Sequence, residues 1–245
     1  MRTIFSFLYS VYAMLLFVLL LLIIFPFVLP AAFLGKLKGG NWIYRVCCFW
    51  ADAWFLLIGM WAPISWRSRQ PLPAEQFIFV ANHISYMDVP MIVKCIRRPL
   101  RALGKAELAK VPIFGFLYRY AAILVDRSDP EKRKKSVVQL KSVLRNGISI
   151  FIFPEGTFNM GNTPLKDFYD GAFRIAIETQ TPLYPVIFPD TLQRLHYRSI
   201  FSFTPGKCRA IFLEPVPVSG LTIDDLPALK EKVYRMMEQA LVDSP

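Results

Sequence analysis

The chain has 245 residues, 54% of them hydrophobic, with a net charge of +11 and a mean hydropathy of +0.38. That apolar excess excludes an ordinary soluble globular protein, and the basic balance calls for nucleic acid, an anionic membrane surface or an anionic substrate. The sequence has no zinc-finger spacing, RNP-like strand or basic helix beside heptads, so nucleic acid is excluded as a partner and membrane lipid fits the charge.

In chain order, the first element is an apolar stretch from Ile4 to Leu34 without a charged side chain. It exceeds the roughly 20 residues that cross a hydrocarbon core. It is also far longer than the roughly 7–15 residue apolar region of a cleaved secretory signal. A second apolar stretch, Asn41 to Trp66, is rich in tryptophan and interrupted by Arg45 and Asp52. Charge is costly at mid-membrane and tryptophan favours the headgroup level, so an interfacial helix or a hairpin dipping into one leaflet is expected. A core helix of the following domain is the alternative. Residues 1–66 are therefore read as a membrane-associated helical anchor and 67–245 as a separate domain. The four cysteines, Cys47, Cys48, Cys95 and Cys208, have no C-x-x-C spacing, so reduced thiols are expected and neither a disulfide framework nor a metal site.

After the breaker "RSRQPLPAE" (67–75) come strand-length apolar runs at 77–81, 121–125, 149–153, 183–188 and 209–214, with a weaker one at 100–104. Helical patterns lie between them at 87–97, 106–118, 129–145, 170–180 and 224–242. The alternation predicts an α/β domain with a mainly parallel or mixed central sheet flanked by helices. In the charged run 126–136, residues from Asp129 read as a solvated helix face. Arg127 directly follows a strand, where α/β sheets line their ligand crevice.

The same position is taken by "FVANHISYMDVP" (79–90), which holds His83, one of only two histidines. Asn82 and His83 emerge where the strand 77–81 ends, and a helix is expected near Asp88. Across such a bend Asp88 can accept a hydrogen bond from one ring nitrogen and leave the other free to take a proton. A loop histidine beside a helix cap is the bland alternative. A second strand end, "SIFIFPEGTF" (149–158), presents Glu155, Gly156 and Thr157, which read either as a turn or as a polar or phosphate cradle. His196 lies in a polar loop without metal-ligand spacing. Ser85 has no G-x-S-x-G turn to present it as a nucleophile.

Together these segments resemble the 1-acyl-sn-glycerol-3-phosphate acyltransferase family. "NHISYMD" matches the family's N-H-x4-D block, and "GKAELAKVPIFGFLYRYAAILVDR", "FPEGT" and "GAFRIAIETQTPLYPV" are similar to the next three. The resemblance implies His83 as catalytic base and Asp88 as the carboxylate that orients it. It implies substrate binding by Asn82, Lys105, Arg127, Glu155, Gly156 and Thr157. It implies acyl transfer from acyl-CoA or acyl carrier protein to a lipid hydroxyl, with no cofactor and no metal, by a domain held at the cytoplasmic face of a membrane. Backbone N–H groups near the helix start would hold the oxyanion.

One departure bears on the acceptor. The family's third block continues E-G-T-R, and here Phe158 takes the arginine's place; Tyr169 and Asp170 likewise stand where lysines are usual. The acceptor is then either lysophosphatidate bound by the remaining cations or a phosphate-free lyso-lipid such as lyso-ornithine or lyso-glycine lipid. A non-catalytic membrane scaffold is the third alternative.

Overall fold

The computed structural model describes residues 2–66, 76–125 and 130–244. Helix α1 (Arg2–Val28) is apolar on all sides, so no helix face is reserved for water. At about 1.5 Å per residue it is about 40 Å long, more than the roughly 30 Å of a hydrocarbon core. The stretch Ile4–Phe33 has a mean hydropathy of 3.0 at its most apolar and is only 17% buried there. A 3-10 turn over Leu29–Phe33 and Gly35, at φ +70°, reverse the chain into helix α2 (Gly35–Leu57).

Helix α2 carries three of the tryptophans of the second apolar stretch, Trp42, Trp50 and Trp54. Trp50 and Trp54 are buried, stacked on each other at 5.5 Å and set edge-on to Phe17 of α1. The indole N–H of Trp54 donates to the Ala13 carbonyl at 2.9 Å. With a dry partner and a carbonyl supplied by α1, these rings have no need of the headgroup level. Trp42 and Trp61 do stay exposed. Asp52 pairs with Lys94 and Arg97, each at 2.8 Å. Helix α2 thus packs one face on α1 and the other on the domain, while Phe49 and Leu56 stay exposed.

The remaining elements are β1 (Met60–Trp61), β2 (Ile64–Trp66), β3 (Ile78–Ala81), α3 (Asp88–Cys95), β4 (Leu100–Lys105), α4 (Phe114–Ala121), β5 (Ala122–Val125), α5 (Pro130–Arg145), β6 (Ser149–Ile152), α6 (Gly171–Thr179), β7 (Leu183–Ile187), α7 (Thr191–Arg194), β8 (Gly206–Lys207), β9 (Ala210–Phe212) and α8 (Leu226–Val242). Seven of the strands form one sheet in the order β2-β9-β7-β3-β6-β4-β5. All neighbours are parallel except β7 and β9, so the sheet is mixed. Strand β2 lies before the boundary expected at Trp66, yet it pairs with β9, and the hairpin shares one core with the sheet.

Alternation along the strands divides that core. Phe79, Ala81, Phe151 and Tyr184 face the hairpin and α3, whereas Ile78, Val80, Ile150 and Ile152 face α5, α6 and α8. The helix expected over 106–118 is broken into a 3-10 turn (Ala106–Lys110) and α4. Val111 precedes Pro112 and is extended, and Ile113 sits at φ +62°.

Candidate active site

Strands β7, β3, β6, β4 and β5 run the same way, so their carboxyl ends share one edge of the sheet. The connection leaving β3 passes over the hairpin face to β4, and the one leaving β6 passes over the opposite face to β7. Neighbouring strand ends whose chains part in this way open a crevice.

His83 stands at that edge. Its Nδ1 lies 2.8 Å from Asp88 Oδ2, and the imidazole is 17% exposed while Asp88 is fully buried. The same Oδ2 accepts the backbone N–H groups of Ile84 at 2.8 Å and Ser85 at 2.9 Å. One carboxylate at the start of α3 therefore closes the turn and aims the ring. A proton on Nδ1 that faces Asp88 leaves Nε2 as the basic nitrogen. The ring's face stacks on Phe153 at 3.9 Å, and Phe158 meets it edge-on at 4.4 Å.

Asn82 and Glu155, expected in substrate binding, are placed otherwise. Asn82 is buried, and its amide exchanges two hydrogen bonds with the Phe188 backbone, at 3.2 and 2.8 Å, joining the ends of β3 and β7. Glu155 is buried too. Its Oε1 accepts the His83 N–H at 2.7 Å and its Oε2 the Lys166 N–H at 2.9 Å. Burial pushes its carboxyl up to about 7 against those two hydrogen bonds. Both side chains hold the backbone around His83, with their polar atoms turned inward.

Gly156, at φ +73°, makes the sharp turn that leads to exposed Thr157, whose Oγ1 accepts from Lys166 Nζ at 2.8 Å. Lys105 is exposed at the carboxyl end of β4, with β6 between it and β3. Arg127 lies outside the described residues. The N–H groups expected to hold an oxyanion near the helix start are largely engaged: those of His83, Ile84, Ser85, Met87 and Asp88 all have acceptors. Ser85 is buried, its hydroxyl donating to the Leu195 carbonyl at 2.5 Å. Among the described residues no group of three metal-ligating side chains comes together.

Phe153 and Lys166 stand outside the residues that the sequence motifs single out. Phe153 ends the run 149–153, and its contact with His83 follows only once β3 and β6 are known to be neighbours. Lys166 is the first cation after Glu155 in the chain, the one signal that could have drawn attention to it. On the far side of the sheet an apolar cavity of about 370 Å³, bounded in part by Leu140, Ala172 and Ile175, reaches Phe153 and Gly156.

The family model described as Acyltransferase matches residues 64–189. The human 1-acyl-sn-glycerol-3-phosphate acyltransferase alpha is 30% identical over 171 residues, 67% of this chain and 58% of that protein. This chain thus matches less than two thirds of the length of its mammalian relatives. The Haemophilus influenzae 1-acyl-sn-glycerol-3-phosphate acyltransferase is 30% identical over 168 residues, 68% of each chain. The crystal structure of the 1-acyl-sn-glycerophosphate acyltransferase PlsC from Thermotoga maritima has the same fold, with a TM-score of 0.81 at 23% identity, covering 99% of this chain and 97% of that one.

Proposed function

The chain belongs to the 1-acyl-sn-glycerol-3-phosphate acyltransferase family, and from that premise we propose that it transfers a fatty acyl group from acyl-CoA or acyl carrier protein to the free hydroxyl of 1-acyl-sn-glycerol-3-phosphate. The product is phosphatidic acid, a precursor in phospholipid synthesis. The observation that carries the chemistry is the 2.8 Å contact of His83 with buried Asp88 at the mouth of the sheet crevice.

In this reading the acceptor hydroxyl approaches His83 Nε2 and gives up its proton as its oxygen attacks the thioester carbonyl carbon. Asp88 stabilises the imidazolium that forms. When the tetrahedral intermediate collapses, the C–S bond breaks and the thiolate recovers that proton. A thioester already has a good leaving group, so no acyl-enzyme is needed. Glu155 and Asn82 act at one remove, keeping the His83 backbone in place. The apolar helix α1 and the basic surface would set the crevice at headgroup level on the cytoplasmic side, where the donor is. The test is turnover of lysophosphatidate with acyl-CoA or acyl carrier protein by protein in vesicles. His83→Ala should abolish it, and full activity in a folded His83→Ala protein would refute the base assignment.

A second reading has its own support. Phe158 presents a ring where the family has an arginine, and Asp170 is paired with Lys230 at 2.6 Å. An acceptor without phosphate, such as lyso-ornithine or lyso-glycine lipid, needs no cation there. Offering both acceptors to one preparation decides between the two.

A further inference from the structure

If the acceptor carries a phosphate, as the first reading above requires, something other than residue 158 must meet it. Phe158 lies 4.4 Å from the His83 ring and walls the imidazole without charge. A cation nevertheless reaches the same motif from further along the chain: Lys166 Nζ donates to Thr157 Oγ1 at 2.8 Å.

That placement is built into the loop. The Glu155 carboxylate holds the Lys166 N–H with one oxygen and the His83 N–H with the other, so base and lysine hang from a single buried group. Leu165 beside it is buried, Thr163 Oγ1 donates to the Leu165 carbonyl at 2.8 Å, and Asn159 Nδ2 donates to the Thr163 carbonyl at 2.8 Å. The Asn159 N–H in turn donates to the His83 carbonyl at 2.7 Å. The lysine's end is exposed and, among the described residues, has no carboxylate at ion-pair distance. An ammonium has three N–H donors and Thr157 takes one; the Thr157 hydroxyl proton is likewise left to donate outward.

We propose that Lys166, together with the Thr157 hydroxyl, binds the acceptor's phosphate, replacing from the following loop the charge that Phe158 does not supply. Lys166 is then the residue that sets specificity for a phosphate-bearing acceptor. A charge-assisted contact of this kind corresponds to a change in apparent affinity of roughly tenfold or more.

The experiment measures KM and kcat for lysophosphatidate and for the thioester donor with the full chain in vesicles, comparing wild type, Lys166→Met and Lys166→Arg. The backbone N–H that Glu155 holds is kept in both variants. Lys166→Met should raise the KM for lysophosphatidate about tenfold, leave kcat within about twofold and leave the donor KM unchanged, while Lys166→Arg restores most of the loss. An unchanged lysophosphatidate KM in Lys166→Met overturns the proposal, as does a loss shared equally by kcat and the donor KM. A wild type that does not turn over lysophosphatidate overturns the parent reading and this one with it; an active wild type indifferent to Lys166 overturns this one alone.

Discussion

Asp88 Oδ2 serves both the turn and the ring, so its two duties can be separated by substitution. Asp88→Asn keeps a side-chain oxygen for the turn but removes the charge that stabilises the imidazolium. We expect kcat to fall about 10²- to 10⁴-fold with little change in the unfolding temperature, measured by steady-state turnover and a thermal melt in detergent. Glu155 yields a pH signature. Burial holds its carboxyl at about 7, above the ordinary value of roughly 4.3 that it regains on unfolding. Between those values the folded protein keeps a proton that the unfolded chain has released, so stability is greatest at the acid end and falls as pH rises toward 7. Melting points taken from pH 5 to pH 8 should show that fall, and Glu155→Gln should flatten it. The amide's NH₂ cannot accept one of the two backbone N–H groups, so Glu155→Gln should also be about 1–3 kcal/mol less stable than wild type at pH 5.

Helix α2 meets both the 3-10 turn that follows α1 and the domain through two adjacent glycines. A Cβ on Gly39 would collide with the Ala31 carbonyl oxygen, and one on Gly40 would lie 2.7 Å from that of Tyr120 and against Arg101. Arg101 is buried and, among the described residues, has no acid at ion-pair distance; its guanidinium donates to the Leu37 carbonyl at 2.8 Å and to Asn41 Oδ1 at 3.0 Å. Burial lowers its pKa to about 10. Gly40→Ala should loosen this joint and cost about 1–3 kcal/mol in a denaturant or thermal melt, whereas an Ala at solvent-facing Gly171, with nothing nearby to meet, should cost far less. The elements themselves were largely visible as patterns. The six apolar runs after residue 75 all contain strands, because strands covered on both faces leave an unbroken hydrophobic record. The break at Val111–Ile113 has its own local signal in Pro112, which disfavours a helical Val111, while the positive φ of Ile113 has none.

At the scale of the whole molecule, α1 presents Phe5, Leu8, Leu15, Ile23 and Phe27 outward, with Phe33 next to it and Phe49 and Leu56 on α2 also exposed. A face of this size is too apolar for water. If it holds the protein in a bilayer, 1 M salt should leave the protein in the vesicle pellet, since at that strength the Debye length is about 3 Å and only electrostatic adsorption is lost. Release by salt, followed by sedimentation, would show instead that the +11 charge alone carries the association.

Local pattern sufficed for the apolar N-terminal helix, the strand and helix alternation and the two polar motifs at strand ends, because each is written within a few residues by periodicity and by breakers. Sidedness was not. Asn82 meets Phe188 106 positions away and Glu155 meets His83 across 72, so whether either side chain faces a substrate or the backbone depends on β3 lying between β7 and β6. That strand order exists only in the assembled sheet, as do the burial of Trp50 and Trp54 against α1 and the approach of Lys166 to Thr157. Hydrogen bonds and packing between distant segments are settled by which elements become neighbours, a property no window of the chain contains.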